Sequence, residues 1–430
     1  MERRMDRRRF LPLLLSPLAL SGCSVPGFGS ASAGNPDTID LWYWNRSIDP
    51  ETFRAFEQDH PGITVNDQKI GGDYASRLNT TLAGKAFVPD VAAMNSDIAR
   101  YFPASDNFVD LYDLGAADVE DQYLDWKWGL GVTRDGKMIG FPMDTGPTGL
   151  FYRADLFDQA GLPSEPDEVT KAFAEWDDYF QAGAELQGKL PGVNMLDNIP
   201  NLYLQALFQA TEFYVNRDNV YVGDGDQVRR AWDVAMQAKQ LDLAANVNSF
   251  TPDWSAAMNN GAVASFPGAV WLKQPLQESG DDTAGTWRVA QTPGGAGNHG
   301  GSFISVTTYA ADDQLAFDLI RFVQSPANQV KMYQSLALFP SAVEALTDPA
   351  MSEPEDFFGG QATGEQFAAS AQNIKPFYSS PAYAVANSIM SGMVTDVAVG
   401  VRPEQGTWED AQKQMRRELE HKHPWVKWEG

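Results

Sequence analysis

Residues 38–94 read TIDLWYWNRSIDPETFRAFEQDHPGITVNDQKIGGDYASRLNTTLAGKAFVPDVAAM. Thr38 to Trp44 is a short run of aromatic and β-branched residues that suits a strand covered on both faces. Asp49 follows as a helix N-cap, with Pro50 at the first helical position and Glu51 near the positive end of the dipole. Phe53 and Phe56 share the inner face of that helix, and Pro61-Gly62 stops it. Ile63 and Val65 alternate with Thr64 and Asn66 as a second strand. Tyr74, Leu78 and Leu82 repeat every four residues in a second helix ending at Gly84, and Val91 to Met94 is a third short apolar strand. The order β-α-β-α-β implies a parallel sheet with right-handed crossovers, in which ligands sit beyond the carboxyl ends of the strands. Three polar segments fall on that rim: Trp44-Asn45-Arg46, Gly71-Gly72-Asp73-Tyr74 and Asn95-Ser96-Asp97. Each alone could equally be turn chemistry and helix capping; the topology gathers all three at one edge.

N-terminal to this unit, Arg7, Arg8 and Arg9 run into an apolar stretch from Phe10 to Leu20, about half the ~20 residues a spanning helix needs. Small residues and a single cysteine follow, in Leu20-Ser21-Gly22-Cys23. The pattern is a cleaved secretory signal over residues 1–22. Asp6 to Leu11 resembles a twin-arginine export signal, and Leu20 to Cys23 resembles a lipoprotein cleavage box with Cys23 as the lipid acceptor; an ordinary exported protein with a stray cysteine is the alternative. Cys23 is the only Cys, so no intrachain disulfide can form and stability must come from the core. Residues 23–36, rich in Gly, Ser, Ala and Pro, read as a lipidated tether.

Cleavage before Cys23 leaves 408 residues, more than one hydrophobic core normally holds, with 12 Trp, 24 Phe and 14 Tyr in the whole chain to fill the interior. Two domains are expected. The removed segment carries five Arg against Glu2 and Asp6, so the formal charge moves from −25 to −28. So acidic a surface repels nucleic acid and anionic membrane, and weakly disfavours a phosphorylated ligand. No apolar run after the signal is long enough to span a bilayer.

A second unit begins near Phe141. The periodicity predicts helices over 168–187, 200–210, 228–241, 312–324, 383–394 and 407–421, and a strand over 303–307. Within it, Gly140-Phe-Pro-Met-Asp144, Gly149-Leu-Phe-Tyr-Arg-Ala-Asp-Leu-Phe157 and Ala160-Gly-Leu-Pro163 are followed by Asn260-Gly-Ala-Val-Ala264 and a closing Gly400-to-Ala411 segment. These segments resemble the family 1 extracellular solute-binding proteins of ATP-driven importers, the maltose-binding-protein-like group. The likeness spans essentially all of the mature chain, and Tyr152 to Phe157 is its most specific part.

The resemblance implies an α/β, two-lobed periplasmic-binding-protein-like fold, each lobe a mostly parallel sheet flanked by helices, with hinge crossovers and the ligand between the lobes. It implies an N-lobe of 37–143 plus 304–346 and a C-lobe of 144–303 plus 347–430. It further implies a monomer without cofactor or metal, held to the membrane through its lipid anchor only, which takes up a small-molecule carbohydrate and passes it to the membrane permease of an importer. Hinge closure belongs to that class of protein.

A sugar offers hydroxyls that need polar partners and C–H faces that lie on aromatic rings, so its site should combine both. The candidates on the first lobe are Trp44, Asn45, Tyr74, Asn95, Ser96 and Asp97, with Asp144 at the crossover. From the second come Trp254, Gly268, Trp271, Gly301, Ser302 and Tyr383. In many relatives a stacking tryptophan follows the strand after the "GKAAM" segment; here the spacing to Trp271 departs from that pattern. Each named Trp could instead be core, and Trp176 and Trp232 are assigned to helical core faces.

Other motifs fail on context. Gly183 to Lys189 matches a phosphate loop until Leu190 replaces the Ser or Thr that would hold magnesium, and it follows a helix, which makes Gly188 a helix C-cap. Gly295-Ala-Gly-Asn-His-Gly300 has dinucleotide-loop spacing but precedes a strand, so it is a cleft-edge loop. His60, His299, His421 and His423 have no metal-ligand spacing. The rival class is a secreted carbohydrate-active enzyme, which needs two carboxylates ~5 to 10 Å apart. A cell-wall scaffold with no small ligand is a third.

Overall fold

The computed structural model describes residues 35–44 and 46–428. The expected signal segment, Cys23, most of the tether and Asn45 lie outside the described residues. Among the described residues, ten strands follow in chain order. The first nine are β1 (Thr38–Tyr43), β2 (Thr64–Lys69), β3 (Val91–Met94), β4 (Phe141–Pro142), β5 (Asp144–Thr145), β6 (Thr148–Arg153), β7 (Ser265–Ala269), β8 (Trp287–Ala290) and β9 (Phe303–Val306). The last is β10 (Phe339–Pro340).

The first sheet has the order β2-β1-β3-β9-β4. β1 pairs parallel with β2 and β3, and β9 runs antiparallel to both β3 and β4. Both faces of β1 are buried, as its aromatic and β-branched composition requires. Ile39, Leu41 and Tyr43 pack toward Phe53, Phe56, Phe317 and Ile320, while Trp42 packs on the opposite side with Tyr74, Leu78 and Leu82. The helix Glu51–Asp59 starts one residue later than expected: Pro50, not Asp49, is its N-cap and no side chain caps it, although Asp49 Oδ1 accepts from the Glu51 amide at 3.1 Å. The helix Tyr74–Gly84 is capped by Asp73, and Tyr74, Leu78 and Leu82 form its buried stripe.

The second sheet has β6 at its centre, antiparallel to β7 and β8. Parallel bridges Asn194↔Val263 and Leu196↔Ala244 widen it on the β7 side. It then repeats the plan of the first: three parallel segments, one reversed strand, one more. In each sheet the reversed strand is the one that has just arrived from the other lobe, β9 from β8 and β6 from β4. β5 and β10 form a short antiparallel ladder between the sheets.

Helices cover both sheets, and two further expectations need correction. The helix expected over 168–187 is two, Pro166–Ala172 and Trp176–Lys189. Phe173 leaves helical geometry and is buried, while Asp177 and Asp178 favour a fresh N-terminus at Trp176. Gly188 is not a C-cap: the helix runs through it and Leu190 caps it. Gly183 is instead the close-packing position of that segment, since a Cβ there would lie 2.7 Å from Met195 Cγ.

Candidate functional site

Two chain passages run side by side between the lobes. His299 donates its amide to the Gly146 carbonyl at 2.8 Å, and Gly146 donates to Asn298 Oδ1 at 2.9 Å. Met143 donates to the Ser302 carbonyl, and Ser302 donates to Asp144 Oδ1 at 2.8 Å. Gly301 between them has φ +84°, and a Cβ there would lie 2.6 Å from the Asp144 carbonyl oxygen. Glycine is required at this crossing. Lys127 is fully buried behind it, its Nζ 3.4 Å from the Phe303 ring centre, and desolvation lowers its pKa to about 7 against the opposing charge of Asp144. Burial pushes the Asp144 carboxyl up, while Lys127 and the Ser302 amide pull it down.

In front of the passages lies a cavity of about 190 Å³. Ser96 and Asp97 line it from the tip of β3, together with Leu130 and Phe303. Phe208, Phe213, Phe377 and Tyr383 bring rings from the second lobe, with Asn298, His299, Ser379 and Asn387 among them. Asp97 pairs with Arg100 at 2.8 Å. Burial raises the Tyr383 hydroxyl pKa, and the negative charge of Asp97 across the cavity raises it further.

The second-lobe wall is set by one short helix, Ile199–Leu207. Asn198 caps it by accepting from the Asn201 amide, and residues four apart do the rest. Leu204 and Phe208 turn to the cavity. Gln205 Nε2 reaches His299 Nδ1 at 3.1 Å, and Gln209 Nε2 donates to the Pro293 and Gly295 carbonyls. The loop 293–300 is therefore fastened to this helix and to the turn that ends it, with the His299 ring stacked 4.6 Å from Phe208.

Of the residues singled out from sequence, Ser96, Asp97 and Tyr383 line this cavity together. Asn95 is exposed beside them, its Oδ1 accepting from the Ser96 amide. Trp44 is half-buried, 5.2 Å from Tyr74; the Tyr74 hydroxyl is used within the fold, 2.7 Å from the Ala93 carbonyl. Asp144, Gly301 and Ser302 lie in the passages behind the cavity. Trp271 is a step away: its Nε1–H donates to the His299 carbonyl at 2.7 Å, and its face stacks toward Phe250, which is 64% exposed. Trp254 is in the core, because the helix Pro252–Asn260 buries Trp254, Ala257 and Met258 on one side, with Trp254 edge-on to Phe266. Gly268 lies inside β7, where a Cβ would meet Leu272 Cδ1 at 2.5 Å. Phe208, Phe213, His299, Phe377 and Asn387 were not singled out; only His299, alone in a glycine-rich loop, carried a signal.

Chemically, the cavity offers neutral donors and acceptors among aromatic rings. Asp97 is its one carboxylate among the described residues, and no cluster of three or more His, Cys, Asp or Glu able to hold a metal occurs among them. No helix among them is long and apolar enough to cross a membrane.

This architecture is that of two-lobed solute-binding proteins. A crystal structure of an extracellular solute-binding protein of family 1 matches with a TM-score of 0.85 and 28% identity, covering 89% of this chain and 99% of that one. The galacto-N-biose-/lacto-N-biose I-binding protein of an ABC transporter from Bifidobacterium longum, solved with lacto-N-biose, shares the fold at a TM-score of 0.75 and 20% identity, covering 90% of this chain and 98% of its own. The lactose-binding protein of Rhizobium radiobacter is 28% identical over 392 residues, 85% of this chain and 88% of that protein. Residues 51–359 match the family model for bacterial extracellular solute-binding proteins, and the chain belongs to that family. It is a binding protein of the extracytoplasmic space.

Proposed function

We propose that the chain is the lipid-anchored substrate-binding component of an ABC importer, that it binds a di- or oligosaccharide in the cavity between the lobes, and that it does so without catalysis. One observation carries the reading. Rings of the second lobe face polar groups at the β3 tip of the first, which is the pairing of surfaces a sugar needs. That only one carboxylate lines it among the described residues supports binding over hydrolysis, which needs two. The lobes we assign are 37–143 plus 304–346 and 144–303 plus 347–430, with Asp144, Gly301 and Ser302 at the hinge. Ser96, Asp97 and Tyr383 are direct ligand contacts, and Trp44, Asn95 and Trp271 are contacts made on closure. The sugar favours the closed state by the difference in its contacts with the two states. The monomer then presents closure to the permease, tethered through Cys23.

A melting-temperature screen of the mature protein against neutral sugars, lactose included, tests this. Sugar at ~100 times its dissociation constant adds about 2.7 kcal/mol of stability. A flat response across the panel would overturn the reading, and new reducing ends on incubation with oligosaccharides would replace it with an enzyme. Mass spectrometry of the membrane-bound form tests Cys23, where an unmodified thiol would remove the anchor.

A further inference from the structure

The hydrogen bond that ties His299 of the loop 293–300 to the helix Ile199–Leu207 has a direction that can be followed atom by atom. A peptide carbonyl can only accept, so the Asn201 Nδ2 that donates to the Pro267 carbonyl at 2.9 Å fixes which way that amide faces. Asn201 then turns Oδ1 toward Gln205, whose Nε2 donates to it at 3.1 Å. Rotating the Gln205 amide would set two oxygens against each other, so its orientation is fixed as well. The second proton of the same Nε2 points to His299 Nδ1 at 3.1 Å. An amide nitrogen has only protons to offer, so Nδ1 is the bare nitrogen of a neutral ring, and the ring proton is on Nε2.

We infer that the Pro267–Asn201–Gln205 relay locks His299 in its Nε2–H tautomer and makes it a specificity-determining hydrogen-bond donor to a sugar oxygen in the cavity. The donor's role rests on the sugar-binding reading above; the relay does not. Three further observations support it. His299 lines the cavity, and its only side-chain hydrogen bond among the described residues is the one through Nδ1. Its ring cannot turn freely, being stacked on Phe208 and edge-on to Trp271 at 5.2 Å. Burial holds its pKa down at about 4, so the neutral form persists at neutral pH. Both Gln205 amide protons are consumed, and its Oε1 is left buried without a partner, so Gln205 is a positioning residue.

A fixed donor selects chemistry. It pairs with a hydroxyl or acetal oxygen, and it sets N–H against N–H where a protonated amino sugar would place its ammonium. The ligand class is therefore a neutral, hydroxylated saccharide at this subsite.

The test has two arms on the mature protein. A long-range ¹H–¹⁵N correlation spectrum without sugar should show His299 protonated on Nε2 alone, and Gln205→Leu should mix the tautomers. Calorimetric titration with lactose, or with the neutral sugar that raises the melting temperature most, should show roughly ten-fold weaker binding for His299→Phe, the size of one lost hydrogen bond. His299→Gln, whose amide can donate, should recover part of it. If His299→Phe does not fold, Gln205→Leu carries the affinity comparison, since it leaves the ring in place. A wild-type ring protonated on Nδ1 overturns the relay, and unchanged affinity in His299→Phe overturns the donor. A wild type with Nε2–H that binds no sugar overturns the sugar reading and leaves the relay standing.

Discussion

The two walls of the cavity are built on opposite plans. The first-lobe wall is the tip of β3, where Asn95 and Ser96 are exposed and Asp97 holds only a half-exposed ion pair with Arg100. The second-lobe wall is a connected network: Asn198 caps a helix, Asn201 and Gln205 relay along it, and Phe208, His299 and Trp271 interlock in front of it. Exposed pairs of the first kind contribute about 0–1 kcal/mol and rearrange readily. Buried networks of the second kind fix geometry, because each unmade bond there is costly. The second lobe therefore presents a preset surface, and the first presents groups that the fold holds less firmly.

The largest effect that sharpens this contrast is expected at Asp197, immediately before the helix of the preset wall. It is fully buried, its Oδ1 accepting from the Asn198 amide at 2.7 Å, and burial pushes its pKa up to about 7. An unfolded Asp titrates near ~3.9, so the unfolded chain releases this proton first as pH rises. Its contribution to stability is fully present below about pH 4, is lost as the pH climbs toward 7, and stays lost above. Asp197→Asn should match the wild type at pH 4 and be more stable at pH 8, by on the order of 2–4 kcal/mol. Urea unfolding at the two pH values reads this, and equal stability of the pair at pH 8 would mean the carboxyl is not strained.

Phe208 is next. Removing a ring that both faces the cavity and stacks on His299 should cost about 2 kcal/mol of sugar binding, some thirty-fold. Phe208→Ala with near-wild-type affinity by calorimetry would break the claim that this wall is the anchor. The smallest effect belongs to the adaptable wall. Asp97→Asn should change neutral-sugar affinity by less than about 1 kcal/mol and leave the melting temperature nearly unmoved. A hundred-fold loss in the same titration would invert the comparison between the walls.

How far each wall was legible in the sequence follows the same division. β1 to β3 and their helices were readable because their signals are local: Asp73 caps, and Tyr74, Leu78 and Leu82 repeat every four residues. The first-lobe rim followed from topology, which puts strand tips where ligands sit. The preset wall was not readable, because its contacts join residues far apart in the chain, Gln205 to His299 and Asn201 to Pro267. Trp254 shows the converse limit. A tryptophan at a helix start reads the same whether it faces a cleft or a core, and the spacing Trp254, Ala257, Met258 puts it in the core. The break at Phe173 was hidden likewise, since the residues on either side keep helical periodicity and only burial of the ring separates the two helices.

On the proposed function, a sugar is held between these walls and anchored on the second. A crystal structure of the mature protein with the sugar that stabilises it most tests this directly. A saccharide should lie over Phe208, with one oxygen within hydrogen-bond reach of His299 Nε2 and its far side met by Ser96 and Asp97. A saccharide bound elsewhere, or touching only the first lobe, would contradict it.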